Sequence, residues 1–270
     1  MTNTHKRLMT KRGIYLLPSL FTIMGLFAGF YALIAAIQGK YELAAWAILA
    51  AAVFDMLDGR VARLLNAETA FGAELDSLCD MVSFGLAPAV LLYLWALEPL
   101  HKFGWLAAFL ITACAALRLA RFNVQLANQD KRYFQGLPTP GTALLIATAV
   151  LFHEQGGFFH VSGEEIERPW PWLWFVIAIS LAWLMVSGVR FISGKDLDLK
   201  KRRSFTVLLG MLLAMVLIMV DPYKILFAGL LIYCLHGPIM SVWQHQKATR
   251  HRLARRRARR KRATSASKDD

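Results

Sequence analysis

Apolar stretches of about 17–25 residues recur along most of this chain, and each is long enough to carry a helix across the hydrocarbon core of a bilayer. A soluble domain has no use for runs of that length. The chain is 57% apolar over its 270 residues, above the roughly 45–50% of soluble domains. About eight spans can be placed, at 18–37, 43–65, 72–97, 103–121, 141–153, 171–192, 205–220 and 223–242. The fifth is short and gains length if it begins at Pro138. The expected fold is all-α, a polytopic membrane bundle.

Charge tests the count. With the N-terminus in the cytoplasm, all but four of the 31 lysines and arginines fall on the cytoplasmic side, the exceptions being Lys40, Lys102, Arg168 and Lys224. That bias predicts an even number of spans and both termini cytoplasmic. Removing the fifth span would invert everything after it and scatter the charge. The net charge of +13 therefore reads as topology, not as nucleic-acid binding. The basic flank before the first run has no clear cleavage site after it, so the first span is expected to be retained. Residues 1–13 form a cytoplasmic N-terminal segment, 14–243 the transmembrane domain and 244–270 a basic cytoplasmic tail, expected to be disordered. The tail reads as topogenic, with binding to anionic headgroups or RNA as the alternative.

Smaller signals fit this frame. Cys79, Cys114 and Cys234 lie in apolar runs without a zinc or CxxC spacing and read as packing residues. Gly25 and Gly29 suggest a close helix approach. Trp170, Trp172 and Trp174 suit an interfacial belt after a surface loop at 154–170. Asp221-Pro222 predicts a tight hairpin between the last two spans, and His236 and His245 read as interfacial or packing residues.

Two stretches break the membrane pattern. The second span ends in Asp55-Met-Leu-Asp58-Gly59-Arg60-Val-Ala62-Arg63, and the third begins Gly72-Ala-Glu-Leu-Asp76-Ser-Leu-Cys-Asp80. Ionisable groups within spans are costly and mark function by default. Asp55, Asp58, Gly59, Ala62 and Arg63 share one helical face, as do Gly72, Asp76 and Asp80. The eight residues between can fold the two faces into one cleft. Four carboxylates there require a cation, and an oxygen-only set suits Mg²⁺, Mn²⁺ or Ca²⁺ better than zinc. Two ions could share the four groups. Glycines at 59 and 72 let a ligand come close, and Arg63 can grip a phosphate in a fork.

The pattern Asp55-x₂-Asp58-Gly59-x₂-Ala62-Arg63-x₈-Gly72-x₃-Asp76-x₃-Asp80 resembles the full signature of the CDP-alcohol phosphotransferase family. The resemblance implies that an alcohol attacks the phosphate carrying the lipid and that CMP leaves. It implies metal binding by Asp55, Asp58, Asp76 and Asp80, with Asp80 also a general base. Asp55, Gly59, Ala62, Arg63 and Gly72 would line the CDP site. Leu17-Pro18-Ser19-x₂-Thr22, Ser83-Phe84-Gly85-Leu86-Ala87-Pro88-Ala89, Leu117-Arg118-Leu119-Ala120-Arg121-Phe122-Asn123 and Gly136-Leu137-Pro138-Thr139-Pro140 are similar to the membrane-embedded phosphatidylserine synthases of that family. Ser19 departs from the Asn expected there. The resemblance covers roughly residues 14 to 240, leaves out the basic tail, and implies CDP-diacylglycerol and L-serine as substrates, a homodimer, and a site facing the cytoplasm in a bacterial inner membrane. Arg118, Arg121 and Asn123 are candidates for holding serine or a phosphate, against plain membrane anchoring of the arginines. Glycerol 3-phosphate, inositol phosphate or choline would be other acceptors for the same chemistry. A cation transporter is the rival of another class, and clustering of the aspartates at one face argues against it.

Overall fold

A computed structural model describes residues 3–65, 67, 69–125, 133–154, 169–192, 209, 212 and 219–238. The described chain is helical apart from one short ribbon, in the order α1 (Asn3–Ile37), α2 (Tyr41–Leu64), α3 (Ala70–Asp80), a π turn (Met81–Leu86), α4 (Ala87–Leu92), a second π turn (Tyr93–Leu97), a 3₁₀ turn (Glu98–Leu100), α5 (Lys102–Gln125), β1 (Tyr133–Gln135), α6 (Thr139–Glu154), α7 (Pro171–Val186) and β2 (Arg190–Ile192). Residues 222–238 form a further helix, α8. Among the described residues, Leu17–Ile37, Ala70–Leu100 and Lys102–Val124 are long and apolar enough to cross a membrane, and Pro171–Val186 is a shorter apolar helix. The protein is an integral membrane protein.

Small residues set the spacing at the heart of the bundle. Ala28, Ala32, Ala35 and Ala36 of α1 are buried, as are Ala44, Ala45, Ala47 and Ala51 of α2. Alanine faces let two backbones come close, which is how helices gain packing energy without large side chains. The hairpin joining them closes on Gly39 at φ +75°, with Lys40 N–H donating to Ala35 at 2.9 Å and Gly39 N–H to Ala36 at 3.0 Å. That is the Schellman arrangement, and it uses two of the carbonyls that a helix end leaves unpaired.

From Ala70 to Leu100 the chain is one helical rod interrupted by the two π turns. A π turn loosens the regular backbone ladder, and here side chains from other helices bond the freed carbonyls. The Thr112 hydroxyl donates to Gly85 at 3.4 Å and the Tyr41 hydroxyl to Leu94 at 3.1 Å. The rod then reverses at His101, φ 47°, into α5. A Cβ on Gly104 would collide with the Leu97 carbonyl, so this tight reversal depends on glycine. Helix α6, the short fifth span, is buried along most of its length, from Thr139 through Leu151.

Helix α1 begins at Asn3 and runs through Pro18, and its membrane-crossing part is Leu17–Ile37, in agreement with the first span read from the sequence. One lost donor does not stop a helix whose apolar sequence continues on both sides, and proline is well tolerated in membrane helices. The sixth span, expected to reach residue 192, ends at Val186: Ser187 is extended, at ψ 155°, and Arg190–Ile192 pairs antiparallel with Tyr133–Gln135. This short ribbon sits within an otherwise helical architecture, as the all-α expectation has it. Gly136 anchors this ribbon at φ +79°, with its N–H on Val189 at 2.8 Å. At the start of α8 Asp221 accepts from Lys224 N–H at 3.2 Å, capping the helix with Pro222 at its first position. Most of the seventh span, most of the 154–170 loop and the whole of the basic tail with His245 lie outside the described residues.

Cross-links show which helix ends meet. Arg121 on α5 donates to the Val186 carbonyl at the end of α7 at 3.1 Å, and Asn123 near the end of α5 bonds Ser77, in the first third of the rod of residues 70–100, at 3.0 Å. At the opposite end the Phe152 and Phe227 rings stack at 5.2 Å, and Trp46 meets Tyr223 edge-on at 6.1 Å. Helix α5 thus runs antiparallel to the rod of residues 70–100 and parallel to α7. Gly136→Ala should weaken the ribbon end: the new Cβ would strike the Met185 carbonyl, and non-glycine residues at such φ values cost about 1–3 kcal/mol. A lower apparent melting temperature of the purified protein in detergent checks this.

Candidate active site at one end of the bundle

The C-terminal half of α2 and all of α3 bring their polar faces together as helical spacing predicts. Carboxylate oxygens of Asp55, Asp76 and Asp80 all lie within 4.8 Å of one another. Asp58 stands beside this trio, only 7% exposed, in contact with the Thr22 side chain and interacting electrostatically with Asp76. Its Oδ2 is buried and has no hydrogen-bond partner. The space between the carboxylates is about 10 Å³, on the scale of a single water molecule. An all-oxygen donor set around so small a gap, with one buried oxygen unsatisfied, fits a divalent cation of the Mg²⁺ or Mn²⁺ kind.

The acidic group opens into a cleft of about 400 Å³. Asp58 and Asp76 form its inner wall, Gly59, Ala62 and Arg63 one side, and Thr69, Gly72 and Ala73 the other. Gly59 faces open space: a Cβ there would meet only the Arg63 guanidinium, at 3.9 Å. Thr69 caps α3 by accepting from Gly72 N–H at 3.0 Å. The N-terminus of α3 therefore looks into the cleft, where its dipole favours an anion. Pro18 and Ser19 of α1 and Phe122 of α5 complete the lining, so position 19, where the sequence departs from its resemblance, belongs to the cleft.

The three residues singled out on α5 take different places. Arg118 lies close enough to Asp80 and Tyr233 to interact electrostatically with both. Its Nη1 donates to the Thr139 hydroxyl at 3.0 Å, while its Nε is buried without a partner. Arg121 turns to the Val186 carbonyl, and Asn123 to Ser77 beside Asp76. Tyr233 and Thr139 come from helices distant in sequence, so nothing local marked Tyr233. Thr22, Ser83 and Thr139 sit in stretches that carry the resemblance but had no assigned role.

Comparison with known proteins agrees with this geometry. Residues 15–166 match the CDP-alcohol phosphatidyltransferase family, more than half of the chain. The chain belongs to that family. Among curated relatives it is 32% identical over 226 residues to the CDP-diacylglycerol–serine O-phosphatidyltransferase of Helicobacter pylori strain J99, covering 84% of this chain and 91% of that one. It is 32% identical over 240 residues to the protein of the same name from Mycobacterium leprae, covering 83% and 74%. It is 35% identical over 177 residues to the archaetidylserine synthase of Methanothermobacter thermautotrophicus, covering 65% and 69%. The family match spans the whole acidic group, the cleft and Arg118.

A divalent ion at this site predicts a thermal signature. Adding Mn²⁺ should raise the melting temperature of the family member in detergent, since a ligand at a hundred times its Kd stabilises by about 2.7 kcal/mol. Asp55→Ala should abolish most of that rise, read by a melting series across Mn²⁺ concentrations.

Proposed function

We propose that the protein transfers the phosphatidyl group of CDP-diacylglycerol to the hydroxyl of L-serine, giving phosphatidylserine and CMP. The observation that carries this is the acidic group opening directly into a cleft walled by Arg63, two glycines and the positive end of α3. That is a place for a diphosphate held against carboxylates. The names of the relatives, with coverage over most of the chain, support serine as acceptor.

Mg²⁺ or Mn²⁺, in all two ions shared by Asp55, Asp58, Asp76 and Asp80, would neutralise the diphosphate and the charge developing on the departing CMP. The chain's own groups do the rest. Arg63 forks onto a phosphate, and Gly59, Ala62 and Gly72 leave room for the nucleotide to lie against the backbone. The serine hydroxyl oxygen attacks the phosphorus that bears the diacylglycerol. Its proton passes to Asp80, the new O–P bond forms, and the bond to CMP breaks. Arg118, on the Asp80 side and outside the cleft lining, is suited to the serine carboxylate through its unpaired Nε. Attacking and leaving oxygens lie roughly in line in such transfers, so an acceptor-binding cation separate from the cleft that holds Arg63 makes chemical sense. Arg121 and Asn123 serve this reading as ties between helices.

We place the reaction at the cytoplasmic face of a bacterial inner membrane, with about eight spans over residues 14–243 and both termini inside. The support is the distribution of basic residues, with Arg60, Arg63, Arg118 and Arg121 all at the site end.

Release of CMP across an acceptor panel tests the reading: turnover with L-serine is expected, and turnover with glycerol 3-phosphate but not serine would sink it. Asp80→Asn should cut CMP release by about 10²–10⁴-fold, the usual contribution of a positioned base, while the protein still inserts. Arg118→Ala should raise the KM for serine by about tenfold to a hundredfold, as loss of a charged hydrogen bond does, with a smaller change in the KM for the lipid; equal shifts in both would return Arg118 to an anchoring role.

A further inference from the structure

Ser83 lies in the π turn that begins directly after Asp80, and it is 2% exposed. Its hydroxyl donates to the Gly25 carbonyl on α1 at 3.1 Å. A Cβ on Gly29, one turn further along α1, would collide with both the side chain and the Cα of Ser83, so only glycine allows the two helices this close. The same face of α1 also meets α2: a Cβ on Gly25 would lie 3.6 Å from the Ala51 carbonyl and from Phe54 Cβ. Ala51 is about one turn before Asp55, and Ser83 is three residues after Asp80. Gly25 and Ser83 both border the small gap between the carboxylates.

Helix α1 therefore packs one face against both carboxylate-bearing helices at the depth of the acidic group. Such a brace has work to do. Asp55, Asp76 and Asp80 repel one another when ionised, and a π turn holds its backbone less regularly than an α-helix. The stretch most able to yield to that repulsion adjoins Asp80.

We propose that Ser83 is a positioning residue: by bonding Gly25 across the contact that Gly29 permits, it ties the π turn to α1 and fixes Asp80 at the distance from Asp55 that a divalent ion requires. The proposal rests on reading the aspartates as a metal site and does not depend on which alcohol accepts the phosphatidyl group.

Mn²⁺ titration of the purified full-length protein, followed by electron paramagnetic resonance, tests it. Ser83→Ala should weaken Mn²⁺ binding about threefold to tenfold, the span of one ordinary hydrogen bond, with the metal-free melting temperature nearly unchanged. Ser83→Thr, which keeps the hydroxyl, should recover most of the affinity. Unchanged Mn²⁺ affinity in Ser83→Ala would overturn the proposal, as would a drop in metal-free melting temperature with affinity preserved. If Ser83→Ala does not fold, Ser83→Cys, with its weaker donor and similar size, should still bind Mn²⁺ less tightly than Ser83→Thr; equal affinities would overturn the proposal too. Mn²⁺ binding by the unsubstituted protein tests the metal site itself, separately from the ratios between variants.

Discussion

Carboxylates within 4.8 Å of one another, on helices whose other faces are apolar, repel strongly, because little water is present to screen them. Everything else at this end of the bundle answers to that repulsion. Leaving the three aspartates and Asp58 without compensation would push α2 and α3 apart. A bound cation would relieve the electrostatic part, and packing has to supply the rest. On the proposed reading, the same concentration of negative charge beside an open cleft would suit a diphosphate that arrives with its own need for metal.

The packing is economical in size. Alanine faces on α1 and α2, and glycines at 25 and 29, bring α1 near enough to touch the neighbours of both Asp55 and Asp80. Larger side chains would hold the helices further apart and enlarge the gap beyond what one ion can bridge. The π turns allow the rod of residues 70–100 to present carboxylates near its start and a buried apolar face beyond Ser83, where Phe84, Ala87, Leu91 and Leu92 are enclosed. Hydroxyls from α2 and α5 bond the carbonyls that these turns free, so the irregular backbone remains satisfied away from water.

Cations on α2 and α5 give the site two sides. Arg63 belongs to the cleft, whereas Arg118 lies near Asp80 and is braced by Thr139. Arg121 and Asn123 lie within about one and a half turns beyond Arg118, yet they bond the end of α7 and Ser77. A local stretch that looks uniform as sequence is thus divided between a group facing the carboxylates and groups that hold helices together. Their directions follow from the 100° step per residue: neighbours on one helix face different partners.

Much of the site was legible in the sequence because it depends on local periodicity. Spacings of three and four residues put Asp55, Asp58, Gly59, Ala62 and Arg63 on one face, and Gly72, Asp76 and Asp80 on another, whatever surrounds them. Apolar run length likewise specified helices and an integral membrane protein. The error came where local preference was overridden: residues 190–192 leave the helix to pair with a strand nearly sixty positions earlier. The tertiary structure alone decided that three aspartates cluster while Asp58 stands beside them, that Arg118 bonds Thr139 within electrostatic reach of Asp80 while Arg121 bonds Val186, and that Ser83 reaches Gly25. Each of these depends on how far apart two helices lie and on their relative rotation, which side chains distant in the sequence set together and no single stretch of it encodes.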